Sequence, residues 1–69
     1  MIELYPNIRD EVKEVAELAW SVALAQKNPM DAAQFLNTVV LFYEKQYTEE
    51  EVDFLQFYFD MKLMEMMKE

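Results

Sequence analysis

The chain has 69 residues, a formal net charge of −8 at pH 7, and no Gly, Cys or His. Without Cys or His it has no disulfide, no thiolate or imidazole metal ligand and no imidazole base, so we expect no enzymatic activity and no cofactor. The missing Gly disfavours tight hairpins and phosphate-binding loops, and 14 Asp/Glu against 6 Lys/Arg disfavours direct contact with nucleic acid or an anionic membrane.

A single small helical domain, residues 1–69, is the organisation that this length and composition predict. Chains below roughly 70–80 residues usually depend on a disulfide, a metal or a subunit interface for stability. Because the composition disfavours the first two, we expect a homodimer, a complex with another protein, or both. The first residues lack a signal-peptide pattern and no apolar run reaches about 18 residues, which predicts a cytoplasmic protein.

Two helices are predicted before residue 47. The first spans residues 8–27 with Asn7 as its N-cap, and its broad apolar face comprises Ile8, Val12, Val15, Ala16, Leu18, Ala19, Val22 and Ala23. Asn28 and Pro29 begin the second, at 29–46, because Pro favours the first helical position and keeps the preceding residue extended. Its core face comprises Ala33, Leu36, Val39, Val40, Tyr43 and Tyr47, with Phe35 and Phe42 to one side.

The third helix, at 49–68, has the best-specified start. Thr48 and Glu51 form a capping box, in which each side chain bonds the other residue's backbone N–H, and Tyr47 and Val52 occupy the positions of a hydrophobic staple. Short connections predict an all-α, up-down-up bundle of three helices. An open arrangement that a second chain completes is the alternative, because a single residue between the first two helices makes a tight hairpin.

Two apolar stripes run along the third helix at steps of about 100° per residue. The aliphatic stripe comprises Val52, Leu55, Phe59, Leu63 and Met66, and the aromatic/Met stripe comprises Phe54, Phe57, Tyr58, Met61 and Met64. One polar gap between them holds Glu49, Asp53, Gln56 and Asp60, and the other holds Glu51, Lys62, Glu65 and Glu69. Since a small bundle has core enough for one stripe, we expect the second to meet another chain.

The predicted interface is therefore the aromatic/Met stripe together with Trp20, which lies with Leu24 at the margin of the first helix. Aromatic residues and Met are enriched in interface cores. The competing interpretation places both stripes in one core, one against each of the other helices, with Trp20 at the bundle edge. Neither the Met residues, which fall on both sides of the helix, nor the first-turn acids Glu49–Glu51, which suit the helix dipole, indicates a metal site.

These features predict a non-enzymatic protein-interaction module, a small acidic regulator or inhibitor that binds its target through the aromatic/Met stripe. A purely structural subunit of a homo-oligomer is the first alternative. An acidic mimic of DNA is the second, although Glu49, Asp53 and Asp60 offer only a short line of carboxylates.

Overall fold

The computed structural model describes residues 7–68, which form three helices: α1 (Asp10–Leu24), α2 (Pro29–Tyr43) and α3 (Glu49–Lys68). Each helix contacts both of the others, so the predicted all-α three-helix bundle is confirmed and the open arrangement is wrong. Pro29 and Met30 at the start of α2 lie beside Leu63 and Met67 near the end of α3. Thus α2 runs antiparallel to α3, as an up-down-up bundle requires.

Local capping explains where α2 and α3 begin. The Oδ1 of Asn28 accepts from the Asp31 N–H at 2.9 Å, and Pro29 occupies the first turn. At α3, the Oγ1 of Thr48 accepts from the Glu51 N–H at 3.2 Å, while a Glu51 carboxylate oxygen accepts from the Thr48 N–H at 3.0 Å. Both predicted starts are confirmed, because each needs only residues within one helical turn.

The predicted bounds of α1 are wrong at both ends. The helix begins at Asp10, so the N-cap position belongs to Arg9, which makes no side-chain capping bond, and not to Asn7. Ile8 is buried before the helix starts. At the other end the N–H groups of Ala25 and Gln26 bond carbonyls three residues back, which tightens the last turn. Residues 25–28 then form the connection, longer than the predicted single residue.

The second helix ends at Tyr43, earlier than the predicted residue 46. The N–H groups of Gln46 and Tyr47 both bond the Tyr43 carbonyl, at 2.9 and 3.0 Å, which turns the chain toward α3. Tyr47 stacks on Tyr43 with ring centroids 4.7 Å apart. This stacking holds Tyr47 beside the bundle even though it lies outside the helix.

Small side chains bring α1 close to its neighbours. Its buried residues within the helix are Val12, Ala16, Ala19 and Ala23, and Ala32 of α2 is also fully buried. Of the predicted core, Leu36, Val40, Leu55 and Phe59 are buried, while Tyr43, Val52 and Leu63 are half-buried against them. Leu18 and Val22, predicted on the core face of α1, are instead exposed, because the alanine-lined side of the helix is the side that packs.

The third helix turns one of its predicted polar gaps inward. Its buried residues are Glu51, Phe54, Leu55 and Phe59, an arc of roughly 140° at 100° per residue. That arc begins at the aromatic/Met stripe, crosses the gap that holds Glu51 and Lys62, and ends in the aliphatic stripe. The other gap, with Glu49, Asp53, Gln56 and Asp60, faces solvent. Both stripes therefore contribute to a single core face.

Candidate protein-binding surfaces

The predicted interface residues do not share one surface. Phe54 is 2 % exposed and belongs to the core, so its assignment to a partner-binding face is wrong. Phe57, Tyr58 and Met61 are half-buried, and Met64 is 60 % exposed. The physical reason is the width of the core face of α3, which takes in the inner edge of the aromatic/Met stripe and leaves its outer edge in solvent.

The inner edge of that stripe packs toward α1. Phe54 and Tyr58 line a hollow with Lys13 and Glu17 of α1. The Lys62 ammonium lies 5.6 Å from the centroid of the Tyr58 ring, a cation–π contact that covers part of it. The packing of Phe54 and Tyr58 toward α1 agrees with the competing interpretation, in which both stripes belong to one core.

Trp20 lies at the edge of the bundle. It has features of both predictions made for it, an interface residue and a core residue at the bundle edge. It is half-buried against the core and lines a hollow of about 310 Å³ together with Leu24, Lys62, Glu65 and Met66. The hollow opens to solvent on the α1 side of the last two turns of α3. Part of the indole is therefore accessible at the same end of the molecule as Met64.

An apolar groove lies on the other side of these last two turns. It has a volume of about 500 Å³ and is lined by Asn28, Pro29, Met30, Ala33, Leu63 and Met67. Met30 is 70 % exposed and Met67 is 63 % exposed. We call the exposed residues Leu24, Met30, Met64 and Met67, with Trp20 at their border, the Met-rich end. Sequence periodicity missed Met30 because it lies on α2, outside that helix's apolar face.

A second apolar surface follows the contact between α1 and α2. One edge of α1 (Lys13, Glu17, Leu24) lines hollows shared with α3, and one edge of α2 (Ala33, Asn37) lines a groove shared with α3. The opposite edge of each helix, away from α3, therefore lies beside the contact between α1 and α2. They carry a set that we call the α1–α2 strip: Val15, Leu18 and Val22 with Phe35, Val39 and Phe42.

The α1–α2 strip is mostly accessible. Leu18 is 68 % exposed and Phe42 is 64 % exposed, Val22 is also exposed, and the other three residues are half-buried. The six residues themselves are apolar, with Glu11 and Asp31 at the two ends of the set. Glu14, on the outer side of α1, shares a surface hollow with Leu18. The sequence placed Phe35 and Phe42 to one side of α2, but only the packing of α1 reveals which residues lie next to them.

The sequence did not predict the polar cluster that forms around the buried carboxylate of Glu51. Glu51, expected in a solvated gap, is 6 % exposed, and Arg9 reaches it with Nε 2.6 Å from Oε2. The Arg9 guanidinium lowers the pKa of Glu51, and the Thr48 N–H lowers it further. The same ion pair raises the pKa of Arg9. The capping box explains why an acid occurs at position 51, so nothing in the sequence indicated that Glu51 would also pair with Arg9.

Tyr47 completes this cluster. The guanidinium carbon of Arg9 lies 5.5 Å from the centroid of its ring, and burial raises the pKa of its phenol. Within residues 7–68 the phenol oxygen is buried without a hydrogen-bond partner. The cluster joins the N-terminal segment to the start of α3, with the Glu51 carboxylate buried and the Arg9 side chain about half exposed.

Neither a metal site nor a membrane span emerges from the part of the chain that the structure describes. Across residues 7–68, His, Cys, Asp and Glu form no group of three or more that could hold a metal ion. None of the three helices is both long and apolar enough to span a bilayer. No protein-family model, curated protein or solved structure matches this chain.

Proposed function

We propose that this chain is a non-enzymatic protein-binding module, a small acidic regulator or inhibitor that captures its target at the Met-rich end. The observation that carries the proposal is the groove of about 500 Å³ beside the exposed Met30 and Met67. Met has an unbranched, adaptable side chain that can fit the contours of a partner, and large exposed apolar groups often mark interaction sites. Trp20 and Leu24, in the hollow across α3, extend the same surface.

The mixture of charges around the Met-rich end supports an apolar rather than an electrostatic contact with the target. Among residues 7–68, three bases (Lys27, Lys62, Lys68) lie there with three acids (Asp31, Asp60, Glu65). Other acids lie elsewhere, in the first turns of α3 and along α1. A partner should therefore present an apolar helical face, and its affinity should change little with ionic strength. A steep loss of affinity with added salt would favour the acidic DNA-mimic alternative instead.

The test is site-specific photo-crosslinking in the cells that produce the protein. A photoreactive residue at position 67 or 30 should give a discrete adduct with another protein. The same residue at position 41 should not, since Leu41 is 58 % exposed on α2 but away from the Met-rich end. Met67→Glu should abolish the adduct formed at position 30, while Leu41→Glu should leave it.

Two results would contradict the proposal: identical labelling from positions 67 and 41, or adducts that persist in Met67→Glu. Circular dichroism of each variant provides the folding control. Because Met67 is largely exposed near the end of α3, its substitution should leave helix content unchanged. The cytoplasmic location proposed from the sequence is testable in the same cells by fractionation.

A further inference from the structure

We propose that the α1–α2 strip is the interface of a homodimer, in which a second copy of this chain covers Leu18, Val22 and Phe42. This surface is separate from the Met-rich end, so the inference does not depend on the proposed target-binding function. A two-fold axis parallel to the helices places α1 of one copy over α2 of the other. The two helices of each copy then form a four-helix arrangement in which every helix is antiparallel to its neighbours, as in up-down bundles.

The composition of the core gives a reason for self-association. Of the eleven buried apolar residues within 7–68, four are alanines: Ala16, Ala19, Ala23 and Ala32. Each alanine buries little apolar surface, so α1 contributes few large side chains to the core while it leaves Leu18 and Val22 in water. A chain of this length gains most from burying such groups against a partner. The strip is the place where larger aliphatic and aromatic residues remain to be buried.

The acids of α3 favour the α1–α2 strip over the solvent face of α3 as the contact with a second copy. Each chain carries a net charge of −8, and like charges at an interface oppose association. Glu49, Asp53 and Asp60 lie on the solvent face of α3, which points away from the α1–α2 strip. In the proposed dimer a layer of packed helices from each copy separates these acids by more than about 20 Å, well beyond the screening length of about 8 Å. A dimer through α3 would bring them together.

The chemistry of the strip also favours a second copy over a basic partner. Its six residues include no carboxylate for a Lys or Arg to bind. Of the flanking acids, Glu11 is already within 3.6 Å of Arg9, and Glu14 lies at the outer edge of α1, in a hollow shared with Leu18. The proposed axis places the aliphatic residues of α1 against the aromatic residues of α2 in the other copy. Two adjacent 15-residue helices form a face about 22 Å long. At the usual interaxial distance the pair is about 20 Å wide, so the face covers on the order of 440 Å² per copy, the size of a weak rather than a standard interface.

Sedimentation equilibrium across a dilution series tests the dimer with the whole chain. The wild type should reach twice its 8.3 kDa mass. Leu18→Glu and, independently, Phe42→Glu should each weaken association at least about 100-fold, because a charge would be buried at the contact. Leu41→Glu is the matched control for surface charge and should remain dimeric. Met67→Glu should also remain dimeric, which separates this interface from the Met-rich end.

Any of three results would overturn the inference. These are a wild type that stays monomeric at every concentration, dimers that survive both Leu18→Glu and Phe42→Glu, or a dimer dissolved by Met67→Glu instead. Since Leu18 and Phe42 are largely exposed, both variants should retain wild-type helix content by circular dichroism. If one of them unfolds, the other still decides the question.

Discussion

Arg9 and Glu51 lie 42 residues apart in the sequence and form a two-point ion pair. The Arg9 Nε donates to Oε2 at 2.6 Å and Nη2 donates to Oε1 at 3.2 Å. The same carboxylate accepts from the Thr48 N–H. A buried carboxylate is tolerated only when its charge is compensated and its oxygens accept hydrogen bonds. Both conditions are met here, so a single side chain caps α3 and joins it to the segment before α1.

The pH dependence of stability should report on this pair. The interactions with Arg9 and Thr48 place the folded-state pKa of Glu51 below its ordinary value of 4.5. The unfolded chain therefore binds the proton more readily, and the stabilisation is complete above about pH 4.5 and lost as the pH falls through the folded pKa. Glu51→Gln can still accept from the Thr48 N–H, so it removes the charge while keeping the cap.

The measurement is the free energy of unfolding of both proteins from pH 3 to pH 7. Glu51→Gln should be less stable than the wild type at pH 7, and the difference should shrink toward pH 3. The other carboxyl groups titrate in both proteins and largely cancel in the comparison. A difference that stays constant over this range would show that the charge of Glu51 contributes nothing.

Removing the other half of the capping box should weaken the start of α3. Thr48→Ala deletes the Oγ1 that accepts from the Glu51 N–H. The expected cost is about 0.5–2 kcal/mol in the free energy of unfolding, the usual range for such caps. Thr48→Ser keeps the hydroxyl and serves as the control, with stability close to that of the wild type. Urea denaturation followed by circular dichroism measures both; equal losses in the two variants would contradict the capping role.

Leu55 is fully buried at the centre of the core face of α3. Leu55→Ala should cost about 2–5 kcal/mol, because it removes packed methyl groups and leaves a cavity. Leu41→Ala changes the same residue type on an exposed part of α2 and should stay within about 0.5 kcal/mol of the wild type. Thermal melts of the two variants provide the comparison. Similar melting temperatures would show that the assignment of the core is wrong.

Two aromatic residues of one predicted stripe should now behave differently. Phe54→Ala should cost about 3–5 kcal/mol, since its ring is buried in the bundle. Phe57 is half-buried, so Phe57→Ala should cost distinctly less. Chemical denaturation of both variants at one protein concentration tests the order. If Phe57→Ala proved the more damaging, the core face of α3 would have to be rotated toward the outer edge of the aromatic/Met stripe.

Local signals in the sequence were enough to predict the class of fold. The capping box at Thr48 and Glu51 and the Asn28–Pro29 start each act within one turn, so neither needs the rest of the molecule to be interpreted. The N-terminal end of α1 was mispredicted because Arg9 occupies the N-cap position instead of Asn7, although a guanidinium has no acceptor for helix N–H groups; its side chain pairs with Glu51. That choice depends on a contact outside any local window.

What the sequence by itself determined is three helices, two of their starts, and the presence of more apolar surface than one helix face can bury. Tertiary structure alone decided which side of α3 faces inward. Its two stripes are separated by two polar gaps of similar composition, so periodicity cannot distinguish them. The gap that holds Glu51 could turn inward because Arg9 arrives from the other end of the chain to compensate its charge. That rotation buried Phe54, and the packing of α1 through its alanines left Leu18 and Val22 accessible beside Phe42.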